Sequence, residues 1–299
     1  MITVTALTKQ YGNRRAVDDM SFEVAAGRVT GFVGPNGAGK STTMRMMVGL
    51  TRPDGGDVHY SGVHYRDLRD PARTVGSVLD ARSMHPGRTA RNHLRATAAL
   101  SGIPSRRVGE VLAEVGLEPA ADKRAGTFSL GMRQRLALAS ALLGNPEVLL
   151  LDEPSNGLDP DGIRWLRDYL TAFARRGGTV FVSSHLISEL SMFADDLVVI
   201  GGGRLLAAEP VTAITGRNDV SVLTETPRPV ELEALLTAHG LTVESAADRL
   251  VVHRTTRDVV SQIAFDNGIR LSELSETSRS LEDSLLDMTR SSAEFASKS

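Results

Sequence analysis

A chain of 299 residues, 41% hydrophobic and 23% charged, holds enough apolar material for a packed core and has room for one large domain, or one large and one small. Its formal net charge of −2 excludes a global basic field for nucleic acid, and the absence of cysteine excludes disulfides, thiolate metal sites and thiol catalysis. No apolar run approaches the roughly 18 residues of a spanning helix, and Met1 to Gln10 lacks the charged start and apolar core of a signal peptide. The chain is therefore expected to be soluble, with any membrane-spanning part supplied by another subunit.

In chain order, Thr3 to Leu7 alternates as a strand does, Tyr11-Gly12 falls in a polar turn, and Val17, Met20, Phe22 and Val24 suggest a second strand ended by Ala26-Gly27. Val29 to Val33 is an apolar run of strand length. It leads into Gly34-Pro35-Asn36-Gly37-Ala38-Gly39-Lys40-Ser41-Thr42, and the run from Thr42 to Leu50 has helical periodicity. Those nine residues fit G-x-x-x-x-G-K-[ST] without a mismatch, in the strand, loop, helix context the motif requires. Glycines let the backbone fold back and aim several N–H groups at one point, and the helix N-terminus adds roughly half a positive charge there. Lys40 is then expected to reach the β- and γ-phosphates of a nucleotide, and Ser41 to hold Mg²⁺.

Pro53 to Gly56 is a turn, Val58 to Tyr60 a short strand closed near Gly62, and Val75 to Leu79 another strand. Residues 84 to 145 read as mainly helical, with helices over Ala90 to Leu100, Ser105 to Gly116 and Gly131 to Leu143. Arg88, Arg91, His93 and Arg95 form a basic cluster in this block, read first as a solvated helix face and second as a partner surface. No aromatic interleaving points to nucleic acid. Glu147 to Leu151 is a strand whose last four residues, Val148 to Leu151, form a fully apolar run of the kind buried in a parallel sheet. It delivers Asp152 and Glu153 to its carboxyl end, where open α/β sheets bind ligands. Asp152 is placed to hold Mg²⁺, directly or through water, and Glu153 to act as general base or water-orienting group.

A helix over Asp161 to Arg175, a strand over Thr179 to Val182, a helix over Ser188 to Phe193, a strand over Leu197 to Ile200 and a hairpin partner over Arg204 to Ala208 complete the first part. The alternation predicts an α/β fold, a mostly parallel sheet with helices on both faces. A boundary near Pro210 to Asp219 closes a domain over residues 1 to about 215, with the helical block at about 84–145. Residues 219–290 then read as a small accessory α+β domain. Its expected strands are Val220 to Thr224, Leu241 to Glu244, Leu250 to His253 and Ile269 to Leu274, with helices over Val230 to His239 and Arg257 to Phe265. That order is βαββαβ, the ferredoxin-like arrangement. Ser280 to Met288 is an expected closing amphipathic helix, and 291–299 a frayed tail.

Taken together, the phosphate loop, the helical block, Ser129 to Arg135, Leu149 to Pro154, Ser155 to Asp159 and Ser184-His185 resemble, in order, the nucleotide-binding subunit of ATP-binding cassette (ABC) transporters. The resemblance covers about residues 2 to 215. It implies a P-loop NTPase core with an antiparallel β subdomain and an inserted helical subdomain. Tyr11 matches the aromatic residue that stacks on adenine, and Ser129 and Gly131 the signature loop that binds the γ-phosphate of ATP held by the opposite subunit. Asp159 matches the loop that crosses between the two sites of a dimer, and His185 the switch histidine on the γ-phosphate. The implied protein is an ATPase using ATP and Mg²⁺. Two copies sandwich ATP head to tail and drive a separate integral membrane permease from the cytoplasmic face. A non-transport ABC ATPase and a nucleotide-binding regulatory module are the alternatives.

Two positions depart from the family. Its signature Leu-Ser-Gly-Gly-Gln reads here Phe128-Ser129-Leu130-Gly131-Met132, which keeps the serine and second glycine. The family's glutamine before the helical block is replaced by Asp80, an acid able to bind Mg²⁺ or water but repelling phosphate unless a metal screens it. An acid there, and the Ser280 to Asp283 helix after a small α/β domain, are similar to subunits paired with ABC-2 type drug or bacteriocin exporters.

Overall fold

The computed structural model describes residues 1–80, 84–215, 220–246 and 249–278. The chain divides into two compact units, one built on Met1–Val211 and one that begins at Thr212.

The first unit carries strands β1 (Ile2–Tyr11), β2 (Arg14–Val24) and β3 (Val29–Val33), helix α1 (Lys40–Met47), strands β4 (Gly55–Tyr60) and β5 (Val63–His64), the single turn α2 (Pro71–Thr74) and strand β6 (Val75–Val78). Helices α3 (Ala90–Leu100), α4 (Arg106–Glu114) and α5 (Leu130–Leu142) follow, then β7 (Val148–Leu151), α6 (Pro160–Arg175), β8 (Thr179–Ser184), α7 (Ile187–Ser191), β9 (Asp196–Gly201) and β10 (Arg204–Pro210), and the short α8 (Val211–Thr215) spans the boundary to the second unit. The central sheet has the order β10-β9-β3-β8-β7-β6, parallel except for the edge pair β9–β10. Every residue of β3, β7 and β8 is buried, which is why β7 reads as an unbroken apolar run and the apolar residues of β3 and β8 do not alternate with exposed ones.

A second, antiparallel sheet, β2-β1-β4-β5, packs on the first through three aromatic rings. Phe22 of β2 stacks on Phe181 of β8 at 5.6 Å, and Phe32 of β3 stacks on Phe181 at 4.9 Å, within the range where offset rings attract. β2 runs longer than its alternation suggests. Asp19 sits at φ +50° and the β1–β2 register shifts beside it, which breaks the period in the sequence without ending the strand. Helices α3, α4 and α5 form the block between β6 and β7, whose strands are neighbours in the sheet.

The second unit contains β11 (Val220–Glu225), α9 (Pro229–Ala238), β12 (Thr242–Ala246), β13 (Arg249–His253), α10 (Arg257–Asp266) and β14 (Glu273–Ser278). Its antiparallel sheet has the order β12-β13-β11-β14, and Val222, Leu232, Leu236, Leu250, Val252, Val260 and Ile263 form a core of its own. This is the βαββαβ fold expected. The last strand corrects one expectation, since it starts at Glu273 and not at Ile269. The Ile269 N–H bonds Ala264 O at 2.9 Å and the Gly268 N–H bonds Phe265 O at 3.0 Å, with Gly268 at φ +63°. That is a Schellman cap on α10, and Ile269 is buried as its apolar contact rather than as a strand residue. The expected helix over Ser280 to Met288 and the tail over 291–299 lie outside the described residues.

Candidate nucleotide-binding site

The loop after β3 leaves the centre of the parallel sheet at its carboxyl end and runs into α1. Gly37 (φ +81°) and Gly39 (φ +108°) hold conformations that a side chain disfavours. A Cβ on Gly39 would also stand 2.5 Å from Ala16 O of β2. Gly39 is the N-cap of α1 and offers no side chain to its first N–H groups, and no acid sits in the first turn. Those donors and the helix dipole are thus left to an external anion.

Lys40 is 6% exposed, and its Nζ donates to Gly34 O at 2.6 Å and Pro35 O at 3.3 Å. Its ammonium also stands 3.5 Å from Glu153 Oε1. Glu153 follows β7 at φ +49°, a left-handed backbone unusual for a residue with a side chain. Its N–H donates to Ser183 Oγ at 2.9 Å, and Ser183 Oγ donates to Asp152 Oδ1 at 2.5 Å. One buried hydroxyl of β8 therefore fixes both acids at the end of β7. The other oxygen of the Glu153 carboxylate, Oε2, is 2.8 Å from His185 Nδ1. Three strand ends thus bring Lys40, Glu153 and His185 into a single polar contact.

These groups line a cleft of about 530 Å³, a size suited to a small-molecule ligand. Of the residues singled out in the sequence, Tyr11, Asn36, Gly37, Gly39, Lys40, Ser41, Thr42, Glu153 and His185 line it. Tyr11 ends β1 at the rim with half its surface exposed, its ring 5.5 Å from Lys9 Nζ. Asn156, within the Ser155 to Asp159 motif, also lines the cleft, as do Arg14 and Ala16, which no signal in the sequence marks. Arg14 reaches it because β1 and β2 pair as a hairpin, and its guanidinium donates to Gly37 O at 3.1 Å.

Gly34, Pro35 and Ala38 shape the loop from behind. Gly34 is buried, and a Cβ there would stand 2.5 Å from Ile200 O of β9. Asp152 lies beneath the lining. Its N–H bonds Val78 O at 2.8 Å, which brings the carboxyl ends of β6 and β7 level, with Asp80 two residues past Val78. Ser129, Gly131 and Asp159 are not part of the lining. Ser129 and Asp159 cap α5 and α6: Ser129 Oγ accepts from the Met132 N–H at 3.2 Å, and Asp159 Oδ1 from the Gly162 N–H at 2.8 Å. Ser129 accepts in this contact, so its hydroxyl proton is still available to donate.

A phosphate-type loop at the central strand of a parallel sheet, with two acids at the end of the neighbouring strand but one, defines a P-loop nucleoside triphosphatase. A family model described as ABC transporter matches residues 17–156, and one described as a domain of unknown function matches residues 220–282. The bacitracin transport ATP-binding protein BcrA of Bacillus licheniformis is 35% identical over 291 residues, covering 95% of each chain. The lantibiotic transport ATP-binding protein SrtF of Streptococcus pyogenes is 34% identical over 208 residues, 69% of this chain and 89% of its own length. Among solved structures, an ATP-binding subunit of an ABC transporter superposes with a TM-score of 0.66 at 27% identity, covering 73% of this chain and 92% of that one. The chain belongs to the ABC transporter ATP-binding family, and it is an ATPase of that family. Among the described residues no helix is long and apolar enough to cross a membrane.

Proposed function

We propose that this chain is the motor subunit of an exporter, working as a homodimer that closes head to tail over two ATP molecules. One observation carries the reading. Lys40, Glu153 and His185 converge in the cleft, whereas Ser129, Gly131 and Asp159 stand outside it, so one copy holds half of the site's chemistry. A solved dimeric bacterial ABC transporter cassette, 25% identical over 71% of this chain with a TM-score of 0.65, supports the dimer.

In this reading Tyr11 stacks on adenine, and the Gly34 to Thr42 loop takes the phosphates on its N–H groups and Lys40. The entering γ-phosphate draws Lys40 away from Glu153, which leaves that carboxylate to accept a proton from the attacking water. His185, already 2.8 Å from Glu153, holds the carboxylate's second oxygen and faces the γ-phosphate. Ser129 and Gly131 of the second copy close on the same phosphate, and Asp159 lies at the crossing between sites.

The donors present fit Mg²⁺, which prefers hard oxygen ligands and is commonly held by one or two carboxylates together with substrate phosphates. The Ser41 hydroxyl is exposed in the cleft, and the Asp152 carboxylate is oriented by Ser183. Asp80, at the end of the next strand, is the additional acid. When bound, the ion would neutralise charge developing on the phosphates.

The similarity to proteins named for bacitracin and lantibiotic transport supports export of a peptide antibiotic through an ABC-2 type permease. The subunit then sits in the cytoplasm, peripheral to the inner face of the membrane through that permease. Glu153→Gln tests the core of the reading. ATP affinity is expected to be retained and turnover to fall by about 10² to 10⁴, with the slow variant eluting as a dimer from a sizing column in ATP. Near wild-type hydrolysis would sink the role of Glu153, and a monomer in saturating ATP would sink the sandwich.

A further inference from the structure

Leu130 is one of three departures from the family's signature, with Phe128 and Met132, and the structure shows where it goes. It is the first residue of α5 and is 44% exposed, yet its side chain is laid over Gly157 in the loop that precedes α6. A Cβ on Gly157 would collide with Leu130 Cδ2, and Gly157 is itself at φ +77°. Beside it, a Cβ on Gly131 would stand 3.3 Å from Leu158 Cδ2. One turn along, Gln134 Nε2 donates to Asn156 O at 3.3 Å. The next residue, Arg135, holds its guanidinium 4.3 Å from the ring of Trp165 on α6 and donates to Val115 O at 3.1 Å. Trp165 in turn stacks on Tyr169 at 5.7 Å, and the Tyr169 hydroxyl donates to Glu114 Oε1 at 2.7 Å.

We infer that Leu130 is a positioning residue that fastens the Ser129–Gly131 loop to the Ser155–Asp159 loop of its own protomer. The inference rests on the head-to-tail reading, in which both loops face the partner's nucleotide. Separate loops could approach the partner independently. Fastened through Leu130 on Gly157, and again through Arg135 on Trp165, the N-termini of α5 and α6 move as one body. The clasp also reaches Asn156, which lines the chain's own cleft. Occupancy of one site is thereby linked to the surface offered to the other, which is a coupling free energy between sites. A glycine at position 130 would fill the signature pattern and leave Gly157 uncovered.

The test uses the full-length chain and three readouts: steady-state hydrolysis against ATP concentration, titration with a fluorescent ADP analogue, and emission of Trp165, the one tryptophan of the sequence. Two coupled sites give a Hill coefficient approaching about 2, and loss of typical coupling changes ATP affinity by about fivefold or more. Leu130→Gly is expected to keep wild-type ADP affinity while the Hill coefficient falls toward about 1 and the half-saturating ATP concentration rises by about that factor. It is also expected to lose the ATP-induced change in Trp165 emission that the Glu153→Gln background is expected to show. Leu130→Met, which can still cover Gly157, is expected to behave as wild type. Gln134→Met, which removes the donor to Asn156, provides the same comparison without touching the loop and is expected to lower the Hill coefficient less.

The inference is overturned if Leu130→Gly keeps both the half-saturating ATP concentration and the Hill coefficient, if Leu130→Met is impaired equally, or if the wild type shows no cooperativity. Failure of the sandwich itself is read separately. A Glu153→Gln protein that stays monomeric in ATP removes that reading, and this inference with it, before any Leu130 variant is made.

Discussion

At the scale of single residues, the site depends on groups held in costly arrangements by packing. Glu153 keeps a left-handed backbone because Ser183 accepts its N–H from the next strand, and its carboxylate is gripped from two sides by Lys40 and His185. His93 in α3 is another group held at a cost. Its Nδ1 is buried without a hydrogen-bond partner, and burial, then the nearby Arg88 charge, lower its pKa below the ordinary 6.5. The folded state therefore resists protonating it while the unfolded chain does not. The stability it contributes is full above pH of about 6.5 and is lost as pH falls from there to the lowered folded value. The basic cluster is thus not uniformly solvated, and Arg91 is also paired with Asp122 at 2.9 Å. Replacing His93 by Leu is expected to flatten the decline in urea midpoint between pH 7.5 and 5.5, and an unchanged decline would show that other groups cause it.

At the scale of elements, the two helices that carry the outward-facing loops are both started by side-chain caps. Asp159 caps α6 through Gly162, with Pro160 at the first helical position, where a missing N–H costs nothing. Asp159→Ala is expected to lower unfolding free energy by about 0.5 to 2 kcal/mol, and Asp159→Ser to recover most of it. Chemical denaturation measures both. If the serine variant restores stability but not cooperative hydrolysis, the carboxylate has a second task at the dimer crossing. Elements are legible in the sequence where one local rule governs them. The ends of α3 can be read directly because Thr89 caps it through the Asn92 N–H and its apolar period is unbroken. The start of β14 cannot, because Ile269 and Leu271 look like strand residues, whereas Ile269 seals the end of α10.

At the scale of the whole molecule, the two units have separate hydrophobic cores. One is built on Ile2, Phe22, Phe32, Met44, Leu150 and Phe181, the other on Val222, Leu232, Leu236, Leu250 and Val252. Every residue lining the cleft belongs to the first unit. A chain ending after Thr215 is therefore expected to fold and to bind ATP with unchanged affinity, as read by nucleotide titration and a cooperative melt. A chain that no longer binds nucleotide would show that the second unit supports the first. Since the family model for residues 220–282 describes a domain of unknown function, the same truncation, tested for coupling to a permease, asks what that unit adds.

The phosphate loop, the strand and helix around it, the acids at the end of β7 and the family are all legible in the order of residues alone. Each of these signals is a short run whose backbone or burial requirement is met by its own residue types: glycines at positive φ, an unbroken apolar strand, a lysine at a helix start. That Lys40, Glu153 and His185 meet, that Arg14 and Asn156 share their cleft, and that Leu130 rests on Gly157 emerges from the folded chain alone. Those contacts join segments far apart in the chain, and strand order and loop packing, not local pattern, select them.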